Sequence, residues 1–138
     1  MTTLCDAYQL YMETLTPASL ADLSTYVTED VRFKDPFNDV QGIENMRAIF
    51  AHMFETIGDV KFFVYHAAID GQVCIMEWRF EGILRDKPWI FDGTTKLIFA
   101  EDGRVSAHID YWDAARDFYE HLPGIGWILE RLRNFIAL

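Results

Sequence analysis

Residues 60–80 read VKFFVYHAAIDGQVCIMEWRF, two runs rich in β-branched and aromatic side chains separated by Asp70-Gly71. An Asp-Gly pair between such runs is the strongest short hairpin signal, because the two central residues of the favoured turn need positive φ. With Asp70 and Gly71 as the turn, Ala67 faces Cys74, Tyr65 faces Met76 and Phe63 faces Trp78, giving one apolar face that continues to Phe80. The other face holds Phe62, Val64, His66, Ile75, Glu77 and Arg79. Downstream, Arg85-Asp86-Lys87-Pro88 turns the chain into a strand from Trp89 to Phe99, and Asp102-Gly103 turns it into a last strand from Arg104 to Trp112. A two-residue turn sets Phe99 opposite Ser106, Leu97 opposite His108, Thr95 opposite Asp110 and Gly93 opposite Trp112. A bulged three-residue turn shifts these pairs by one but leaves His108, Asp110 and Trp112 on a common face.

Upstream of the hairpin the period is helical. Leu4, Tyr8, Tyr11 and Leu15 stack on one face of a first helix, with Thr2 or Thr3 as its cap. Thr16-Pro17 restarts the chain, and Leu20, Leu23 and Val27 give a second helix its stripe, ending near Thr28-Glu29-Asp30. In residues 31–35 the period becomes two, so Val31, Phe33 and Asp35 share a face and a carboxylate joins the apolar set. After a loop from Pro36 to Gly42, Ile43, Met46, Phe50, Met53 and Ile57 mark a third helix closed by Gly58. Leu122-Pro123-Gly124 breaks the chain before a short apolar helix from Trp127 to Leu138. Helices first and antiparallel strands afterwards predict an α+β layer in which a curved sheet wraps around the N-terminal helices. Residues 1–138 are expected to form a single domain, with 122–138 as a C-terminal helical extension.

The 138 residues are 51% hydrophobic and carry a formal net charge of −10, which argues against nucleic acid and anionic lipid as partners. Cys5 and Cys74 have no ligand-like spacing and read as reduced thiols, which favours a soluble, cytoplasmic protein without a disulfide framework. No basic segment followed by an apolar run marks the N-terminus for export.

Helix, Thr-Pro helix, short strand ending in Asp35-Pro36, third helix and long strands together resemble the nuclear transport factor 2-like superfamily, which implies a cone-shaped domain around one pocket. From Tyr11 to Pro36 the chain is similar to ketosteroid isomerase without a gap. That resemblance implies Tyr11 as the oxyanion-binding tyrosine and Asp35 as the general base, and it sets Thr95 where that family has a protonated aspartic acid. The ending His-Ile-Asp-Tyr-Trp-Asp at 108–113 resembles the SnoaL-like group, whose polyketide cyclases use an aspartate and a histidine on late strands.

Buried carboxylates need a hydrogen-bond partner, a cation or a wet cavity, and one cavity accounts for Asp35 and Asp110 together. The plainer readings are an Asx turn at Asp35 and a buried structural partnership at Asp110. The candidate catalytic set is Asp35, Tyr11, His108 and Asp110, with Thr95, Trp112, Trp78, Met76, Phe33, Phe54 and Phe80 as the ligand wall. Met53 joins that wall, while His52, His66 and His121 carry no assigned role. Asp35, His108 and Asp110 match no metal cassette, and no cofactor is expected.

These groups suit acid–base chemistry on a hydrophobic cyclic or lipid-like substrate, as in an isomerase, cyclase, dehydratase or epoxide hydrolase. A non-catalytic ligand carrier and a dimeric interaction scaffold are the competing readings. The apolar outer face of Val64, Ile75, Ile98 and Ile109 predicts a homodimer. The C-terminal helix is expected to close the pocket or extend the dimer, with membrane contact as the runner-up.

Overall fold

In the computed structural model, which describes residues 3–137, helix α1 (Leu4–Glu13) opens with a reciprocal cap. The Asp6 N–H donates to Thr3 Oγ1 and the Thr3 N–H to Asp6 Oδ2. Thr3 is therefore the cap, and Thr2 lies outside the described residues. The face that α1 buries carries Cys5, Tyr8, Tyr11 and Met12, while Leu4 is exposed. A 3-10 turn (Ser19–Asp22) runs into the short helix α2 (Leu23–Tyr26). Strand β1 (Val27–Lys34) begins earlier than the helical stripe suggests, because Val27 and Thr28 are β-branched and fit a pleated surface better. After β2 (Asp39–Gln41), α3 (Ile43–Thr56) leads to four long strands, β3 (Gly58–Asp70), β4 (Val73–Leu84), β5 (Lys87–Phe99) and β6 (Val105–Tyr111). Helices α4 (Ala114–Asp117) and α5 (Ile125–Ile136) follow, separated by a 3-10 turn at Tyr119–His121.

The six strands form one curved sheet in the order β2-β1-β6-β5-β4-β3. It is mixed rather than wholly antiparallel, since β1 runs parallel to β6 and pairs Phe33 with His108. The β5–β6 register sets Leu97 opposite His108 and Thr95 opposite Asp110, as the turn predicts, while a shift near the turn pairs Phe99 with Val105 rather than Ser106. The β3–β4 hairpin differs more. Asp70 pairs with Val73, so the turn lies one residue later, and the register slips again between Val64 and His66. A bulge of this kind reverses the inward set beyond it. Phe62 and Val64 consequently accompany Trp78 and Phe80 on the inner face, and Phe63 and Tyr65 are exposed. Val64 is thereby lost from the outer face.

The concave side closes over Tyr8, Leu23, Val31, Phe33, Met46, Met76 and Leu97, all fully buried. Cys5 and Cys74 are not free thiols. They form a disulfide between α1 and β4 across a sequence separation of 69 residues, and this removes the support that reduced cysteines lent to a cytoplasmic location. Both sulfurs lie in the core, where α1 crosses the sheet, so their pairing depends on a long-range packing contact that spacing does not encode. No helix among the described residues is long and apolar enough to cross a membrane.

Candidate functional site

Strand alternation sends His108 and Asp110 from β6, Thr95 from β5 and Trp78 from β4 into the concave side, where they join in one hydrogen-bonded chain. Trp78 Nε1–H donates to Thr95 Oγ1 at 2.7 Å, which leaves the threonine hydroxyl to donate onward to Asp110 Oδ1. The same oxygen lies 2.9 Å from His108 Nε2. On the far side of the ring, His108 Nδ1 lies 2.8 Å from the Tyr8 hydroxyl. With Asp110 ionised, the network assigns the imidazole proton to Nε2, facing the carboxylate, so that Nδ1 accepts from Tyr8. Burial drives the Tyr8 hydroxyl well above the ordinary tyrosine range, and the charge of Asp110 adds to this; it stays a protonated donor. Phe33 and Phe50 flank the imidazole at 5.1 and 6.3 Å between ring centres.

Asp110 Oδ2 has no hydrogen-bond partner among the described residues and is not sealed from solvent. Asp110 lines two spaces. The smaller, about 30 Å³, is bounded by Met12, Met76 and Val64 as well as by Thr95, His108 and Asp110, and is of water size. The larger, about 480 Å³, is of small-ligand size, and half of its 20 lining residues are aromatic, among them Phe33, Trp78, Phe80, Trp89, Phe91, Trp112 and Phe118. Trp112 stacks on Phe91 at 4.3 Å and meets Phe37 edge-on at 5.3 Å, which continues the aromatic wall onto the loop after β1.

Asp35 also lines the large cavity. Its Oδ1 accepts from the Phe37 and Asn38 backbone N–H groups and from Asn38 Nδ2, the Asx-turn arrangement. Burial pushes its carboxyl above the ordinary aspartate value, the loop bonds pull it back, and the negative charge of Asp110 adds a further upward push.

Of the residues expected to act, the structure brings His108 to the small space, Asp35 to the large one and Asp110 to both, and takes Tyr11 elsewhere. Tyr11 stacks on Tyr26 at 4.0 Å and donates to the Ser19 carbonyl, and burial with the nearby Asp22 pushes its hydroxyl up to about 12. Tyr8, one turn earlier on the same helix, takes the place at the histidine; it belonged to the same apolar stripe, so a tyrosine was foreseeable there but not which one. Phe33, Trp78, Phe80 and Trp112 line the large cavity, Thr95 and Met76 the small one, and Phe54 packs against the core without reaching either. Met53 stands in the wall, and His52 stands beside it although no role was assigned to it. Asn38, Trp89, Phe91 and Phe118 were missed because each depends on how loops and sheet ends close in space. Among the described residues no group of three or more His, Cys, Asp and Glu side chains could hold a metal.

Residues 8–108 match the model of the SnoaL-like domain, and the chain belongs to that family. No curated protein matches it. Solved structures share the nuclear transport factor 2-like fold at low identity. An LEH-like epoxide hydrolase from M. tuberculosis is 16% identical with a TM-score of 0.70, covering 98% of this chain and 94% of that one. A protein of ketosteroid isomerase-like fold from Catenulispora acidiphila, in complex with trimethylamine, is 16% identical with a TM-score of 0.71, covering 85% and 90%. A SnoaL-like polyketide cyclase from Agrobacterium tumefaciens is 20% identical with a TM-score of 0.68, covering 82% and 93%. At these identities the likeness establishes the fold alone.

Proposed function

We propose that the large cavity binds a hydrophobic cyclic or lipid-like molecule and that Asp110, coupled to His108, moves a proton on it. The observation that carries this is a carboxylate with one oxygen fixed by Thr95 and His108 and the other without a partner among the described residues, on a side chain that lines an aromatic cavity of about 480 Å³. A base must be held still, poorly solvated and within reach of its substrate. His108 serves as the proton partner, held in one tautomer by Tyr8. Asp35, with its Oδ1 occupied by loop amides, holds the cavity wall rather than abstracting the proton. Isomerisation, aldol cyclisation, dehydration and epoxide opening all use these parts.

The test is a panel of cyclic ketones and epoxides in D₂O, followed by NMR. The parent protein is expected to exchange or convert at least one compound, and Asp110→Asn to do so about 10² to 10⁴ times more slowly with binding retained. Compounds that bind in the cavity of the parent without any proton chemistry would leave a carrier in place of an enzyme.

The outer sheet face suits a second copy of the chain. Ile75 and Tyr111 are exposed there, Ile98 and Ile109 are half-buried, and Lys96 stands between Ile75 and Ile109. A two-fold pairing of this face makes the protein a homodimer. Helix α5 does not line the cavity. It rests on the preceding 3-10 turn through Gly126, where a β-carbon would run into the Glu120 carbonyl oxygen, and through the Arg133–Glu120 ion pair. Its face of Ile128, Leu132 and Phe135 is left exposed, which favours a role in extending the assembly over one in closing the pocket.

A further inference from the structure

The aromatic wall alone suits an apolar body of either charge; the ionisable groups break the tie. The cavity is lined by two carboxylates, Asp35 and Asp110, while its two basic side chains, His52 and Arg85, are exposed. Neither carboxylate forms an ion pair with a lysine or arginine among the described residues. An uncharged ligand filling this space would strip the remaining water from Asp35 and return nothing to its charge, which is costly in an apolar surround. A cation returns that charge interaction.

The place for it is beside Asp35. Its Oδ1 already takes three hydrogen bonds, but its Oδ2 accepts a single long one, 3.3 Å from Asn38 Nδ2, and has capacity for another. Phe37 meets Trp112 edge-on, at 5.3 Å and 78°, and Phe118, at 5.1 Å and 69°, so the loop that carries Asp35 is packed against the aromatic wall. A ring face of that wall attracts a cation held within about 6 Å of its centre. Along the chain Trp112 is followed by Asp113, Arg116 and Asp117, a net negative segment, and the whole chain carries −10, so the field outside the cavity gathers cations as well.

We propose that the ligand is a cation, a protonated amine or quaternary ammonium group on an apolar body, its charge seated between Asp35 and the rings of Phe37 and Trp112. This rests on the cavity being the ligand site and names the charge of what enters it.

Two probes of equal shape separate charge from fit: (4-hydroxybenzyl)trimethylammonium and its uncharged isostere 4-(2,2-dimethylpropyl)phenol, titrated by calorimetry and tryptophan fluorescence. The cation is expected to bind at least about tenfold more tightly. Asp35→Asn keeps a carbonyl for the loop amides; it should remove most of that preference, weakening the cation while the isostere, spared the desolvation of a charge, binds as well as before or better. Trp112→Leu should weaken the cation more than the isostere. Equal or tighter binding of the uncharged probe overturns the cationic ligand and leaves the ligand cavity standing. If neither probe binds, both readings fall. Thermal unfolding of each variant precedes the titrations, and should Trp112→Leu not fold, Asp35→Asn decides the question.

Discussion

Removing one oxygen atom from Tyr8 tests the polar chain that defines the site. Tyr8→Phe preserves the buried ring and deletes only the hydroxyl, which lies 2.8 Å from His108 Nδ1. The imidazole that loses its donor packs against Phe33 and Phe50 and is 3% exposed, so bulk solvent does not replace the bond. A buried acceptor left unpaired costs about 1–3 kcal/mol. For a chain of 138 residues each kcal/mol lowers Tm by about 3–4 °C, so the variant should melt about 3–12 °C below the parent. The assay is thermal unfolding by circular dichroism, joined to ¹⁵N NMR of the imidazole, in which the Nδ1 resonance should move most. A double-mutant cycle with His108→Phe isolates the bond: Tyr8→Phe should cost markedly less once the imidazole is gone. If Tyr8→Phe matches the parent in Tm and leaves the His108 nitrogen resonances unchanged, the hydroxyl does not hold the ring and the site loses its anchor to α1.

The Cys5–Cys74 bond closes a loop with a sequence separation of 69 residues, so a fully reduced chain should be less stable by about 4 kcal/mol on the chain-entropy model. Denaturant titration with and without reductant, with thiol counting by mass spectrometry, checks this, and a reduced chain of parental stability would refute it. Asp35 titrates above its unfolded-state value, so the folded state holds its proton more tightly; the stability it contributes is present below the unfolded pKa and is lost as pH rises through the folded one. Between about pH 3 and pH 7 the Tm of Asp35→Asn should therefore rise relative to that of the parent, and a flat difference would count against the burial of that carboxyl. Lysines at Ile98 and Ile109 should leave a monomer by light scattering while the fold is retained; a parent already monomeric at micromolar concentration would dispose of the homodimer.

Local chemistry made much of this legible. The Asp-Gly turn placed Thr95 opposite Asp110 and Leu97 opposite His108, and these pairs hold because the shift between Ile98 and Phe99 offsets a turn one residue longer than the two-residue one. Where a bulge intervened near Tyr65, the same reasoning turned Phe62 and Val64 the wrong way, and no residue there announces the extra step. Tyr8 and Tyr11 share one helical stripe, and only the docking angle of α1 on the sheet decides which reaches the imidazole. The disulfide and the parallel β1–β6 pairing are long-range facts that spacing cannot carry. Asp35 joined both of its readings, since an Asx turn and a cavity wall are satisfied by the same carboxylate.

Strand β6 presents His108 and Asp110 on one side and Ile109 and Tyr111 on the other. A seven-residue ribbon thus serves as a ruler read on both edges. Deleting or inserting one residue within it would swap the two scales, moving the isoleucine and tyrosine inward and the ionisable pair out to the surface. Substitutions can tune either side separately, but changes in length cannot, so homologues in which this segment keeps its length while its even or odd positions drift should have changed ligand or assembly one at a time.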